Sequence, residues 1–113
     1  MHELSIAMSI VEMAEKEAKR HGGRVAAVHL KLGMLSGVVK EALVSSYEMA
    51  SADTPLAGSR LQVEDVPVAV YCKLCQARRD IQSPQWLCCP ECGTPTSEVV
   101  QGKELEVVAL EIQ

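Results

Sequence analysis

The sequence is poor in aromatic side chains. Its 113 residues include no phenylalanine, one tryptophan and two tyrosines. Valine, leucine, alanine and methionine must therefore form most of the core. A core made of these smaller side chains is helped by a covalent or metal cross-link. The composition thus predicts that a metal site or disulfides contribute to stability.

Two further absences exclude classes of protein. No apolar run is long enough to cross a bilayer, and no signal-peptide hydrophobic region follows the first residues. Basic residues are not in excess, since the formal net charge is −4, which argues against binding to the phosphate backbone of nucleic acids. We therefore expect one cytoplasmic domain, or one domain with a small module, with neither a membrane nor a nucleic-acid partner.

The first third of the chain predicts a helix followed by a strand. Apolar residues recur at helical spacing from Leu4 to about Arg20, namely Leu4, Met8, Val11, Ala14 and Ala18. The pair Gly22–Gly23 then ends the helix. In the following segment "RVAAVHLKLG", apolar and other residues alternate as in a strand with one buried face.

The rest of the chain predicts one more helix and two more strands. The second helix runs from about Val38 to Ala52, with Ser36 as its N-cap, and "SRLQVEDV" alternates as a strand. In the closing "KELEVVALEIQ", three residues form one predicted strand face, Val108, Leu110 and Ile112. Four methionines are expected to fill gaps in a core without phenylalanine, Met8, Met13, Met34 and Met49.

The order of these elements predicts the fold class. Helix, strand, helix, strand, insertion and strand suit a two-layer α/β domain of two helices on a three-stranded mixed sheet. The insertion carries all five cysteines and is expected to form a zinc-ribbon-like module with four cysteine ligands. We predict that residues 1–68 plus 102–113 form the α/β domain and that residues 69–101 form the module.

The cysteine spacing predicts a structural zinc site. Two CxxC pairs, "CKLC" and "CPEC", are separated by thirteen residues. Such pairs supply four thiolates in a tetrahedral arrangement, which saturates Zn²⁺ and leaves no open position for a substrate. The predicted ligands are Cys72, Cys75, Cys89 and Cys92. Cysteine-rich sites of this kind belong to a reducing compartment, where disulfides are rare.

Alternatives to this zinc site remain open at the level of the sequence. Cys88 precedes Cys89 and offers a competing thiol, although a Cys88–Cys92 pair would have CxxxC spacing. A redox-active CxxC is a second alternative, which the presence of a second matched pair disfavours. A nucleic-acid-binding zinc ribbon is a third, which the net acidic charge of the module disfavours.

The first three residues can chelate a metal. The Met1 amine, the His2 amide and the His2 imidazole close two chelate rings in one plane, and Glu3 offers a fourth ligand. Planar nitrogen and oxygen donors favour Ni(II) or Cu(II). The alternative is that His2 is a solvated terminal residue and that Glu3 is a carboxylate favoured at a helix N-terminus.

Four segments together resemble the HypA family of nickel metallochaperones. They are "MHELS", "KLGMLSGV", "YCKLC…CPECG" and "GKELEVVALEI", and they run in order through nearly the whole chain. The resemblance implies a non-enzymatic carrier that delivers nickel during [NiFe]-hydrogenase maturation and, in some organisms, urease maturation. It implies Ni²⁺ as cargo at Met1, His2 and Glu3, and structural Zn²⁺ at the four cysteines.

The resemblance also implies partners, namely a HypB-type GTPase and the precursor of the hydrogenase large subunit. The main alternative is a zinc-ribbon adaptor for protein interactions without nickel chemistry, and a zinc- or thiol-dependent enzyme is a third class. The sequence does not settle which hydrogenase is served, the fourth nickel ligand, the role of Cys88, or the choice between monomer and homodimer.

Overall fold

In the computed structural model, residues 2–83 and 85–113 are described. Two helices and six strands follow one another in this part of the chain: α1 Glu3–His21, β1 Val25–Gly33, α2 Lys40–Ser51, β2 Arg60–Val66, β3 Val68–Cys72, β4 Ala77–Ile81, β5 Val99–Gln101 and β6 Leu105–Ile112. None of the helices described is both long and apolar enough to cross a membrane.

The strands form two separate three-stranded sheets. The first is mixed and has the order β2-β1-β6. The second has the order β4-β3-β5, and both of its neighbouring pairs are antiparallel. The predicted fold class is therefore confirmed, including the two helices, the three-stranded mixed sheet and the separate cysteine-bearing module.

The chain divides into two compact units. The first unit comprises Met1–Lys31, Gly37–Glu64 and Glu106–Gln113, and it contains both helices. The second comprises Leu32–Ser36 and Asp65–Leu105, and it contains β3, β4 and β5. Each unit buries apolar side chains, as its strand and helix patterns require.

The core of the first unit consists of aliphatic side chains around one tyrosine. In α1 the buried residues are Ala7, Ile10, Val11, Ala14 and Ala18. In α2, Leu43 and Tyr47 are buried and contact the same interior as the α1 face, since the two helices pack together. Burial of these residues removes apolar surface from water, at about 25 cal/mol for each Å².

One hydrophobic cluster of the second unit is small. Val68, Val70 and Ile81 are buried and pack with three half-buried neighbours, Leu35, Leu87 and Val99. Two glycines allow close backbone contact beside this cluster, because a Cβ on Gly33 would collide with the carbonyl group of Gly102. The amide of Leu35 donates to that same carbonyl at 2.7 Å.

Several local expectations were wrong. The N-cap of α2 is Val39 and not Ser36, and no side-chain hydrogen bond caps this helix. Leu4 and Met8 are exposed on α1, because the buried stripe passes through Ala7 and Ile10 instead. Val108 is 49% exposed, because two successive exposed residues interrupt the alternation of β6.

Three of the four methionines do not fill the core as expected, whereas Met13 is half-buried. Met8, Met34 and Met49 are exposed, to 59%, 50% and 71% of their surfaces. The fully buried positions hold leucine, valine and alanine together with Tyr47, Cys72 and Cys89. Small and branched aliphatic side chains therefore fill the space that phenylalanine would otherwise occupy. Their burial costs little side-chain conformational entropy.

Candidate metal sites

Two short turns place four cysteines in the second unit. Cys72 is the last residue of β3, and Cys75 lies in the turn before β4. Cys89 and Cys92 lie in a second turn, which the hydrogen bond from the Gly93 amide to the Cys89 carbonyl closes at 2.8 Å. Each CxxC pair is thus held by a local backbone turn.

A residue in the left-handed region follows each pair. Gln76 has φ 53° after Cys75, and Gly93 has φ 76° after Cys92. Glycine adopts this conformation without a steric cost, whereas other residues pay about 1 kcal/mol or more. The turn at Gln76 is consequently the more strained of the two.

The four thiols form one cluster. The sulfur atoms of Cys72, Cys75, Cys89 and Cys92 all lie within 4.8 Å of one another. The Cys72 and Cys92 sulfurs are 3.6 Å apart, and those of Cys75 and Cys89 are 3.9 Å apart. In a tetrahedron with metal–sulfur bonds of about 2.3 Å, the sulfurs are separated by about 3.8 Å. The donor set therefore fits a tetrahedral thiolate-bound metal.

Hydrogen bonds lower the pKa of two thiols, both in the second turn. The backbone amide of Cys92, followed by that of Glu91, lowers the pKa of Cys89 to about 6. The side chain of Thr94, whose oxygen is 3.1 Å from the Cys92 sulfur, lowers the pKa of Cys92. The second turn is therefore prepared for the thiolate form, in which cysteine binds metals.

Cys75 behaves in the opposite way. Although the Arg79 guanidinium lowers its pKa, the neighbouring thiols of Cys92 and Cys72 raise it, and the result is about 11. Cys75 is therefore protonated near neutral pH when the cluster holds no metal. Binding of a metal must displace this proton, which makes the affinity fall as pH falls.

Cys88 lies outside the cluster. It is half-buried and forms an isolated antiparallel bridge with Pro95. The metal-binding group found among the described residues contains Cys89 and not Cys88. The backbone of this segment therefore directs the two adjacent cysteines to different surroundings.

The predicted nickel-binding residues lie at the start of α1, in the first unit. His2 is the N-cap residue, with an extended backbone (φ −84°, ψ 125°) and an exposed side chain. Its carbonyl accepts a hydrogen bond from the Ile6 amide at 3.3 Å. Glu3 is the first helical residue. Met1 lies outside the described residues.

Sequence reasoning missed one residue at the cysteine cluster. Arg79 interacts with the thiols of Cys75 and Cys89, which raise its pKa. The available signal was the alternation of β4, where Arg79 falls on the same side as the buried Ile81. An arginine at such a position requires an anionic partner or a route to solvent.

Comparison with known proteins supports a specific family. The family model described as "Hydrogenase/urease nickel incorporation, metallochaperone, hypA" matches residues 1–112. A "Hydrogenase maturation factor HypA" of Roseiflexus sp. is 47% identical over 114 residues, which cover 100% of this chain and 93% of that protein. A protein of the same description from Chloroflexus aurantiacus is 48% identical over 112 residues, which cover 98% of each chain.

Solved structures share the fold. A solution structure described as HypA protein has a TM-score of 0.74 and 24% identity, and the match covers 100% of this chain and 97% of that one. A solution structure of the nickel metallochaperone HypA from Helicobacter pylori has a TM-score of 0.67 and 24% identity, with 99% and 97% covered. At this identity the two likenesses concern the fold alone.

Four clustered thiols on this α/β scaffold define a metal-binding protein. The full-length matches then specify which one. The chain belongs to the HypA family, the nickel metallochaperones of hydrogenase and urease maturation, and it is not an enzyme. The family resemblance predicted from the four sequence segments is thereby confirmed.

Proposed function

We propose that this protein binds Ni(II) at Met1, His2 and Glu3 and delivers it during [NiFe]-hydrogenase maturation. The observation that carries the proposal is the exposed His2 at the start of α1 in a chain whose family match spans residues 1–112. We assign the nickel-binding domain to residues 1–68 plus 102–113, and the zinc-binding module to residues 69–101.

The backbone at the start of α1 suits nickel binding. The first four amides of a helix have no partner within the helix, so the amides of His2 and Glu3 are not needed for its hydrogen bonds. Together with the Met1 amine and the His2 imidazole they supply planar nitrogen donors, which Ni(II) favours. The positive end of the helix dipole disfavours a cation at this place and so moderates the affinity. A carrier that must release its cargo needs such moderation.

The four cysteines would hold a structural Zn²⁺. Four thiolates complete the tetrahedral coordination that zinc adopts in closed sites, and such a site cross-links the turns that carry its ligands. The small core of the second unit makes this cross-link valuable. Since all five cysteines are free thiols, we place the protein in the reducing cytoplasm.

The family also supports a proposal about partners. We expect nickel to pass by ligand exchange, with a HypB-type GTPase and the precursor of the hydrogenase large subunit as binding partners. The family description names urease beside hydrogenase, so urease maturation is a second process to test. The assay is nickel-dependent activation of each enzyme in the presence of the purified protein.

The experiment that tests the nickel site is a titration of the zinc-loaded protein with Ni²⁺. We expect one-to-one binding in the native chain, with a Kd near the micromolar range, about −8 kcal/mol. His2→Ala should lose most of this affinity, because it removes the imidazole. One glycine inserted before Met1 should do the same, because it moves the amine out of the first chelate ring.

A matched control is His21→Ala, which removes an exposed histidine from the other end of the same helix. This variant should bind nickel as the native chain does. Equal binding in all four proteins would place nickel elsewhere and overturn the proposed site. Absence of nickel binding in all of them would favour the adaptor function that the sequence left open.

A further inference from the structure

A charged residue occupies an apolar row of the second sheet. Strands β3 and β4 pair in an antiparallel register that sets Val68 opposite Ile81, Val70 opposite Arg79 and Cys72 opposite Ala77. The β3 members of these three pairs are almost completely buried, as is Ile81. Arg79 therefore extends from a row whose neighbouring positions form the small core.

The guanidinium of Arg79 lies at the cysteine cluster. Its Nε is buried and has no hydrogen-bond partner within the described part of the chain. Its guanidinium interacts with the thiols of Cys75 and Cys89, one from each CxxC pair. A guanidinium stays charged at all relevant pH values and presents five N–H donors. Burial of one of these donors without a partner is costly unless the interaction with the sulfurs offsets it.

The adjacent residue shows a contrasting arrangement. Arg78 is exposed, donates a hydrogen bond to the Gln101 side chain at 2.6 Å and lies 3.8 Å from a carboxylate oxygen of Asp80. Since successive residues of a strand point to opposite faces, the two arginines divide between solvent and the cysteine cluster. The strand register therefore puts Arg79, and not Arg78, on the face of β4 that meets the cysteine cluster.

We propose that Arg79 is a positioning residue of the four-cysteine site, which binds the thiolates of Cys75 and Cys89 from outside and retains the metal there. The inference rests on the proposed zinc site and adds a residue to it. Four thiolates around one divalent cation carry a net charge of about −2. A fixed cation beside this negative charge therefore stabilises the metal-bound cluster and holds one ligand from each CxxC pair in place.

The test compares zinc retention in four proteins, the native chain, Arg79→Met, Arg79→Lys and Arg78→Met. Zinc affinity is measured by competition with a chromogenic chelator, and the accessibility of the thiols by their rate of alkylation in the zinc-loaded state. Arg79→Met should weaken zinc binding by about tenfold or more, the usual effect of removing an outer partner of metal ligands. Its cysteines should also be alkylated faster.

The other two variants separate charge from geometry. Arg78→Met removes the same charge from the same strand and should leave zinc affinity unchanged. Arg79→Lys keeps the charge but not the planar group of donors, so its affinity should lie between those of the native chain and Arg79→Met. This conservative variant keeps the test decisive even where Arg79→Met fails to fold, as circular dichroism would show.

Three results would overturn the inference. Native affinity in both Arg79 variants would show that the guanidinium does not act on the site. An equal loss in Arg78→Met would show a general charge effect. Failure of the native chain itself to bind zinc would overturn the proposed metal site, and this result is distinguishable because it appears before any substitution is made. The nickel titration at His2 is independent of all three.

Discussion

Tyr47 is the largest of the fully buried side chains. Its hydroxyl lies 2.6 Å from the Ser59 hydroxyl, so its one polar atom has a partner. Burial raises the pKa of Tyr47 above its ordinary value of 10, and the hydrogen bond with Ser59 opposes this rise only partly. The folded state thus prefers the neutral phenol. Its contribution to stability is complete below about pH 10 and is lost as pH rises through the folded pKa.

Tyr47→Phe should therefore show two effects. At pH 7 the loss of the hydrogen bond should reduce the free energy of unfolding by about 1 kcal/mol. As pH rises above about 10, the native chain should lose stability relative to the variant, because only the native chain has this phenol to ionise. Urea unfolding at several pH values measures both effects, with Tyr71→Phe as the control for a half-buried tyrosine. A difference in the free energy of unfolding between the native chain and Tyr47→Phe that stays constant with pH would contradict the proposed effect of ionisation.

At the scale of elements, the end of α1 combines two different glycines. Gly22 has φ +67°, and its amide bonds to the carbonyl of Lys19, as expected for a left-handed C-cap. Gly23 meets a different constraint, because a Cβ there would collide with the Ile112 side chain and the Gln113 carbonyl. The sequence predicted that this pair ends the helix. It did not reveal that the second glycine allows Ile112 and Gln113 to pack closely against the backbone.

Substitution by alanine should separate these two roles. Gly22→Ala should cost about 1 kcal/mol, because open space surrounds the new methyl group and only the backbone is strained. Gly23→Ala should cost more, about 2–3 kcal/mol, because the methyl group displaces packed atoms. It also disturbs the paired hydrogen bonds of 2.9 and 2.8 Å between Arg24 and Gln113. Thermal unfolding compares the two, and equal losses would contradict the steric account.

At the scale of the whole molecule, helices and cysteines belong to different units. Both helices lie in the first unit, and the four-thiol cluster lies in the second. Among the described residues of the second unit, one small hydrophobic cluster has three buried members and three half-buried neighbours. Such a small core rarely supplies enough stability by itself. We therefore expect the metal to stabilise the second unit far more than the first.

Removal of the metal should unfold the second unit selectively. A strong chelator should make residues 65–105 sensitive to proteases, whereas the helical circular dichroism signal should persist because both helices lie outside this segment. Mass spectrometry of the fragments locates the cuts. Added Zn²⁺ should restore protection, and Cys88→Ser serves as the control for loss of a thiol outside the cluster. If the helical signal and the protease protection are lost together, the two units do not unfold separately.

Local patterns in the sequence determined much of this protein. The alternation of the strands, the glycine pair after α1 and the spacing of the cysteines predicted the fold class and the thiol set that the structure brings together. These signals are readable because each depends on residues within one turn or one strand. The ordered segments from "MHELS" to "GKELEVVALEI" also indicated the family, which the comparisons confirm.

The tertiary structure decided what depends on neighbours distant in the chain. It exposes Met8 and Val108, although helical spacing and strand alternation placed both on buried faces. It separates Cys88 from Cys89, and it turns Arg79 toward sulfurs from two different turns. In each case the spacing of residues in the sequence defines the faces of a helix or strand. Only the packing of segments distant in the chain determines which face is buried and which residues cover it.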